Sequence, residues 1–260
     1  MRRAVLCVAL AAAAAACAAG SPDARRVEAA IAAVPSLPAE MAAAIRSDRD
    51  AFVRDLSAAI ASDRDGLLVR VDKARRLGAG YKPDDLVPLA KGRSYLPGRD
   101  GLALRAPAER ALDEMARAAR ADGVTLVASS SFRSFEYQEK LYDRNVRELG
   151  KAAADRESAP PGASQHQLGT AVDFGSITDD FALTRAGRWL AANAGAWGWS
   201  LSFPDGYEGV TGYRWECWHF RYVGKEAVAL QDRWFGGVQQ WMIEFVDAWL
   251  ASGPTARPAP

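Results

Sequence analysis

The sequence predicts an α+β fold: a small antiparallel sheet flanked by helices, preceded by a helical extension. Three observations predict it. Helical apolar periodicity and short β-type runs are mixed along the chain. No internal repeat is visible, which sets aside solenoid and propeller architectures. With 260 residues, 49% of them hydrophobic, the chain can bury one full core.

In chain order, residues 1–17 read as an export signal of lipoprotein type. Arg2-Arg3 is the charged region and residues 4–16 are apolar, too short to span a bilayer. Cys17 follows Ala14-Ala15-Ala16, close to the pattern in which such a cysteine is lipidated, although Ala14 stands where leucine is usual. Cleavage at a small-x-small site such as Ala16-Cys17-Ala18 is the alternative. Residues 18–66 are expected to form a tether (18–37, rich in Ala and Pro) and one helix over 38–62. That helix would place Met41, Ile45, Phe52, Leu56 and Ile60 on one face.

The main domain is expected over 67–250, with a disordered tail at 251–260. Leu67–Val71 reads as a short strand and 78–85 as a turn-rich loop. A helix over 107–122 starts at Pro107 and stops at Gly123. A strand over 124–130 and a helix over 135–149 follow, then a polar surface loop over 150–163. A strand is expected at 170–174, a helix at 185–194 capped by Thr184, and strands at 199–203 and 213–222. Helices at 225–234 and 238–250 close the fold.

A net charge of +1 without a basic run argues against nucleic acid as a partner. Of three cysteines, Cys7 and Cys17 fall in or beside the signal, so Cys217 has no evident disulfide partner in the folded body. Six of the eight tryptophans lie between 189 and 234, as expected for a core or a cleft wall.

The chain has only two histidines, and both lie in clusters suited to a metal. His166 is followed seven residues on by Asp173, and His219 is preceded three residues earlier by Glu216. Two imidazoles and one carboxylate suit a catalytic zinc with an open fourth position, and the remaining carboxylate is a candidate general base. Two local conditions follow. The chain must turn near Gly169-Thr170 so that His166 and Asp173 face one point. The chain must also bend between Glu216 and His219, because residues i and i+3 of an ideal strand face opposite ways. Cys217 lies between them; it reads as a ligand or nucleophile, or as a buried small hydrophobe. Arg133, after the 124–130 strand, is placed to grip a carboxylate with its fork.

Three segments in this order resemble the VanY-type D-alanyl-D-alanine carboxypeptidases of the LAS group of zinc peptidases. They are Ser131-Phe132-Arg133-Ser134 with Gln138, Ser164-x-His166-x-x-Gly169-x-Ala171-x-Asp173, and Glu216-x-Trp218-His219-x-Arg221-Tyr222. Phe203-Pro204, Thr211-Gly212-Tyr213 and Val223-Gly224 add to the likeness, which covers about residues 67–235. Cys217 departs from it by replacing the usual proline, and Ser200-Leu201-Ser202 departs from the commoner pattern.

The resemblance implies a hedgehog/DD-peptidase-like fold and one zinc ion per chain held by His166, Asp173 and His219. It implies Glu216 as base and later proton donor. Arg133 would bind the substrate's terminal carboxylate or stabilise the oxyanion, and Ser131, Gln138 and Ser164 would line the substrate site. The implied reaction is removal of the terminal D-Ala from peptidoglycan stem peptides in the bacterial cell envelope, with a membrane anchor if Cys17 is lipidated. Alternatives are an L,D-carboxypeptidase acting on tetrapeptides, an endopeptidase, and a non-catalytic wall-binding module in which zinc is structural.

Overall fold

The computed structural model describes residues 20–253. The expected export signal, Cys17 and the end of the expected tail lie outside the described residues. Among the described residues, no helix is long and apolar enough to cross a membrane.

The chain opens with three helices, α1 (Pro22–Ala33), α2 (Ala39–Ser47) and α3 (Arg49–Ser62). Of the 18–37 segment, expected as a tether, Pro22–Ala33 is therefore helical. Ser21 caps α1 by accepting the Ala24 N–H at 3.1 Å, and Val27 and Ala30 are fully buried. The single helix expected over 38–62 is two, broken at Asp48, whose φ of −125° and ψ of 51° leave the helical region. These helices pack through Val27, Ile45, Phe52 and Leu56 against α9 (Lys225–Trp234) and α10 (Gln239–Ala251).

The segment Leu67–Val71, expected as a strand, joins no sheet. Two of its carbonyls, those of Leu67 and Val69, accept from the buried Arg221 guanidinium at 2.6 and 2.8 Å. A side chain thus supplies the donors that a neighbouring strand would have provided. Next come β1 (Leu86–Pro88), β2 (Leu96–Pro97), β3 (Ala103–Arg105), α4 (Ala106–Ala121), β4 (Val127–Ser130) and α5 (Phe135–Leu149). The first three strands, of two or three residues each, are too short to show a period and had no expectation. Residues 150–163, expected as a loop, hold the short helix α6 (Lys151–Glu157), which buries Ala154.

The remaining elements are β5 (Ala171–Phe174), α7 (Arg185–Asn193), β6 (Trp199–Leu201), α8 (Glu208–Thr211) and β7 (His219–Tyr222), with 3₁₀ turns at Gln165–Leu168, Asp179–Leu183 and Ala194–Trp197. The strand expected over 213–222 is confined to its last four residues.

The main sheet has the order β2-β4-β5-β7-β6, and β1 and β3 form a separate antiparallel pair. The pairs β4–β5, β5–β7 and β6–β7 are antiparallel, as expected, whereas the edge strand β2 is parallel to β4. One side of the core packs α4, through Leu112, Met115 and Ala116, against the sheet residues Ala128, Val172, Phe174 and Phe220. One face of the sheet thus carries an apolar core, whereas alternate residues (Ser130, Asp173, Ser200, His219 and Arg221) are buried and polar.

Candidate metal centre and cleft

Sheet register brings the key side chains together. Asp173 of β5 is paired directly with His219 of β7 and with Ser130 of β4. His166 is brought back onto Asp173 by Gly169, which ends the 3₁₀ turn at a φ of +69°. That positive φ favours glycine, and an added Cβ would press on the Leu86 side chain, its Cδ2 at 2.9 Å. The bend between Glu216 and His219 is a tight turn closed by the His219 N–H donating to the Glu216 carbonyl at 3.1 Å. It puts Glu216 Oε2 3.5 Å from His219 Nδ1. Both local conditions read from the sequence are met.

His166, Asp173 and His219 are all buried, and their ligand atoms lie within 4.8 Å of one another. The outer nitrogens of both rings are committed. His166 Nδ1–H donates to the Ser131 carbonyl at 2.7 Å, and His219 Nε2–H donates to Gln165 Oε1 at 3.2 Å. The nitrogens facing inward therefore carry lone pairs. His166 Nε2 stands 3.2 Å from Asp173 Oδ2, and His219 Nδ1 stands 3.1 Å from Asp173 Oδ1. His166 Nε2 and Asp173 Oδ1 have no hydrogen-bond partner although both are buried. Lone pairs facing lone pairs across about 3 Å in a dry site repel unless a cation lies between them. The donor set, two imidazoles and one carboxylate, suits zinc, so the residues fit the metal.

Electrostatics agree. Burial, with the nearby Arg133 guanidinium, lowers the His166 pKa to about 4, leaving the ring neutral and able to ligate at neutral pH. Burial opposes ionisation of Asp173, but positive charge between it and the two rings, carried in the metal-free site by a proton on His166 or His219, outweighs this and holds the carboxyl well below the usual range. Glu216 goes the other way. Burial, then the Asp173 charge, push it up to about 8.

Arg133 leaves the loop after β4 and places Nη2 3.1 Å from Asp173 Oδ2 and Nη1 3.0 Å from Gln138 Oε1. Its Nε is buried without a partner. Ser164 lies on the cleft wall, and its hydroxyl accepts the His166 N–H at 3.3 Å. Ser131 and Gln138, expected to line the substrate site, lie behind the wall. The Ser131 hydroxyl accepts the Ala103 N–H at 3.0 Å, and the Gln138 amide is divided between Arg133 and the Ala159 carbonyl, the latter at 2.8 Å. Each holds a site residue and is itself closed off from the cleft. Cys217 turns out of the site, with Sγ 3.6 Å from the Asp179 carbonyl, and packs as a small buried hydrophobe.

Sequence reasoning assigned no role to Gln165, Phe203 or Gln239. Gln165 Oε1 accepts from both His219 and the Ser202 hydroxyl, the latter at 2.7 Å, while its amide donates to Gln239 Oε1 at 3.2 Å. This buried, neutral chain ties His219 to the start of α10. Phe203 packs on the His219 ring at a centroid distance of 4.7 Å. Phe203 belongs to the Phe203-Pro204 pair and Gln165 fills the unspecified position between Ser164 and His166, but nothing in the sequence pointed to Gln239. The cleft that opens over the centre encloses about 410 Å³.

A family profile described as VanY, D-alanyl-D-alanine carboxypeptidase, matches residues 101–225. The chain is 35% identical over 173 residues to the putative carboxypeptidase YodJ of Bacillus subtilis (strain 168), an alignment covering 64% of this chain and 63% of that protein. The chain thus spans less than two thirds of that relative's length. Among solved structures, it is similar to a variant of the vancomycin-resistance D,D-pentapeptidase VanY in complex with Zn(II). That match has 30% identity and a TM-score of 0.56, and covers 68% of this chain and 98% of that one. It is also similar to the LdcB LD-carboxypeptidase, with 31% identity, a TM-score of 0.57, and coverage of 65% and 85%. With the α+β fold and the buried His166, Asp173 and His219 cluster already in place, these likenesses show that the chain belongs to the VanY family.

Proposed function

We propose that this chain is a zinc-dependent D,D-carboxypeptidase that removes the terminal D-Ala from peptidoglycan stem peptides. The observation that carries the reading is the buried His166–Asp173–His219 cluster, with bare nitrogens facing a carboxylate and Glu216 beside it. Support comes also from the relatives, one of which is a D,D-pentapeptidase solved with Zn(II).

His166 Nε2, His219 Nδ1 and Asp173 would hold the zinc. When bound, the ion supplies Lewis-acid polarisation of the scissile carbonyl and lowers the pKa of water to about 7. Glu216 takes a proton from the attacking water and delivers it to the leaving amine as the C–N bond breaks. The proton that Glu216 takes from water is the one that it delivers in the second transfer. Arg133, held beside the centre by Gln138 and Asp173, would offer the remaining N–H groups of its fork to the substrate's terminal carboxylate or the developing oxyanion. The Ser131 carbonyl holds the His166 ring, Gln165 and Phe203 hold the His219 ring, and Ser164 fixes the His166 backbone.

The catalytic unit spans 67–250 in this reading. Residues 1–17 export the chain, and lipidation of Cys17 anchors it at the bacterial cell envelope. A second reading, an L,D-carboxypeptidase acting on tetrapeptides, draws support from the likeness to LdcB.

Mass spectrometry of muropeptide digests, with and without chelator, separates these readings. Chelator-sensitive loss of one alanine from the pentapeptide is the expected result. Loss from the tetrapeptide alone moves the assignment to the L,D class, and absence of cleavage by the zinc-loaded chain contradicts both.

A further inference from the structure

The cleft is larger than a terminal dipeptide needs, and one of its walls is built from a single stripe of α5. Tyr137, Leu141, Arg144 and Asn145 line it at positions i, i+4, i+7 and i+8, one face of a helix. Only Gln138 of this 15-residue helix is buried. Tyr137 is half exposed, as is Ile177 at another part of the cleft lining. Of the stripe, Tyr137 and Arg144 are exposed and Leu141 and Asn145 only half-buried, so this wall of the cleft is a surface open to an occupant.

Charge indicates what the occupant carries. The acidic residues of the outer lining are already paired: Glu157 lies 2.9 Å from Arg214, and Asp72 lies 2.7 Å from Arg70. The lining cations Arg99 and Arg144 have neither an ion pair nor a hydrogen bond among the described residues. The outer cleft thus presents two uncompensated guanidiniums beside apolar surface.

Reach gives the spacing. Gln138 holds Arg133 at the centre, and Arg144 lies six residues further along α5, a rise of about 9 Å. An extended peptide covers that distance in about three residues.

We propose that the α5 side of the cleft, with Arg144, is a subsite for a carboxylate carried two to three residues upstream of the bond cleaved, and that Arg99, elsewhere in the same lining, adds to its positive charge. It makes the enzyme selective for stem peptides whose upstream acidic residue is free. This rests on the carboxypeptidase reading above. Two sources share the chemistry, the α-carboxylate of the second stem residue and a side-chain carboxylate on the third.

The test compares pentapeptides carrying one, the other or neither of these groups, the missing ones amidated, as substrates of the zinc-loaded chain and of Arg144→Gln and Arg99→Gln. Both substitutions are on exposed residues, which limits the risk to folding. The expected result is a KM raised about threefold to tenfold by each substitution, with kcat unchanged, on the carboxylated peptide that uses the subsite. The penalty is absent on the fully amidated peptide, and the carboxylate whose amidation mimics the substitution is the one recognised. An equal KM for all peptides, or equal penalties on all of them, overturns the subsite. Peptide binding to Glu216→Gln is measured in parallel. If the wild-type chain cleaves nothing but binding still depends on the carboxylate, the activity reading fails and the subsite stands. If neither cleavage nor binding occurs, both fail.

Discussion

The cleft and the helical layer behind it are built from opposite materials. Around the cleft the buried side chains are polar or ionisable: His166, Asp173, Glu216, His219 and Gln165. In the layer formed by α1–α3 with α9 and α10 they are Val27, Ile45, Phe52, Leu56 and Phe245. Phe52 sits edge-on to Trp234 at 5.3 Å and to Phe245 at 5.0 Å. The first region keeps lone pairs unsatisfied and a carboxyl in a dry setting, both of which oppose folding. The second contributes apolar burial and aromatic edge contacts that offset this. Function and stability are thus largely held by different residues, and polar links between them run through Gln239 to Gln165 and through Gln240 to Asp72.

The sharpest way to break this comparison is to remove a ligand from one region and a core residue from the other. His219→Ala should abolish zinc retention and turnover while the helical layer stays folded, as read by metal analysis and circular dichroism. A variant that keeps its zinc refutes the ligand assignment. Phe52→Ala should cost about 3–5 kcal/mol of stability, the usual range for deleting a buried ring. Its zinc affinity should not change, and a changed affinity would mean the two regions are not separable.

A third prediction concerns pH in the metal-free protein. Glu216 is raised from 4.5 to about 8 by burial and by Asp173. Its stabilising contribution is therefore fully present below pH 4.5 and is lost as pH rises through 8. Glu216→Gln does not titrate, so in chelator its melting temperature should gain on wild type as pH rises from 5 to 8. The gain reaches at most about 1.4 kcal/mol per pH unit. A difference that stays constant with pH would contradict the assigned burial. The smallest effect should come from Gln165→Leu, which frees His219 Nε2 and weakens zinc binding about 10–100-fold with the fold retained, measured by chelator competition.

Much of the centre was legible in the sequence because its chemistry is rare there: two histidines, each with a carboxylate at short spacing, in a chain of 260 residues. The turn at Gly169 and the bend at Glu216–His219 were deducible from residue geometry alone. The neutral chain behind His219 was not. Gln165, Ser202 and Gln239 are 37 and 74 residues apart along the sequence, and glutamines carry no periodic signal. Ser131 and Gln138 were assigned to the right neighbourhood but to the wrong face of the wall, because a motif does not say which way a hydroxyl points. In the fold, α1 was hidden by its alanine-rich composition, since its burial depends on α10 far along the chain. Leu67–Val71 has the apolar run of a strand, yet its carbonyls are taken by Arg221.

The central claim is that Glu216 performs the proton transfers at a zinc held by three other residues. The most direct test is Glu216→Gln, assayed for zinc content and for alanine release from pentapeptide. The account predicts one zinc per chain and turnover reduced about 10²–10⁴-fold. Undiminished turnover, or loss of the zinc along with the activity, would contradict it.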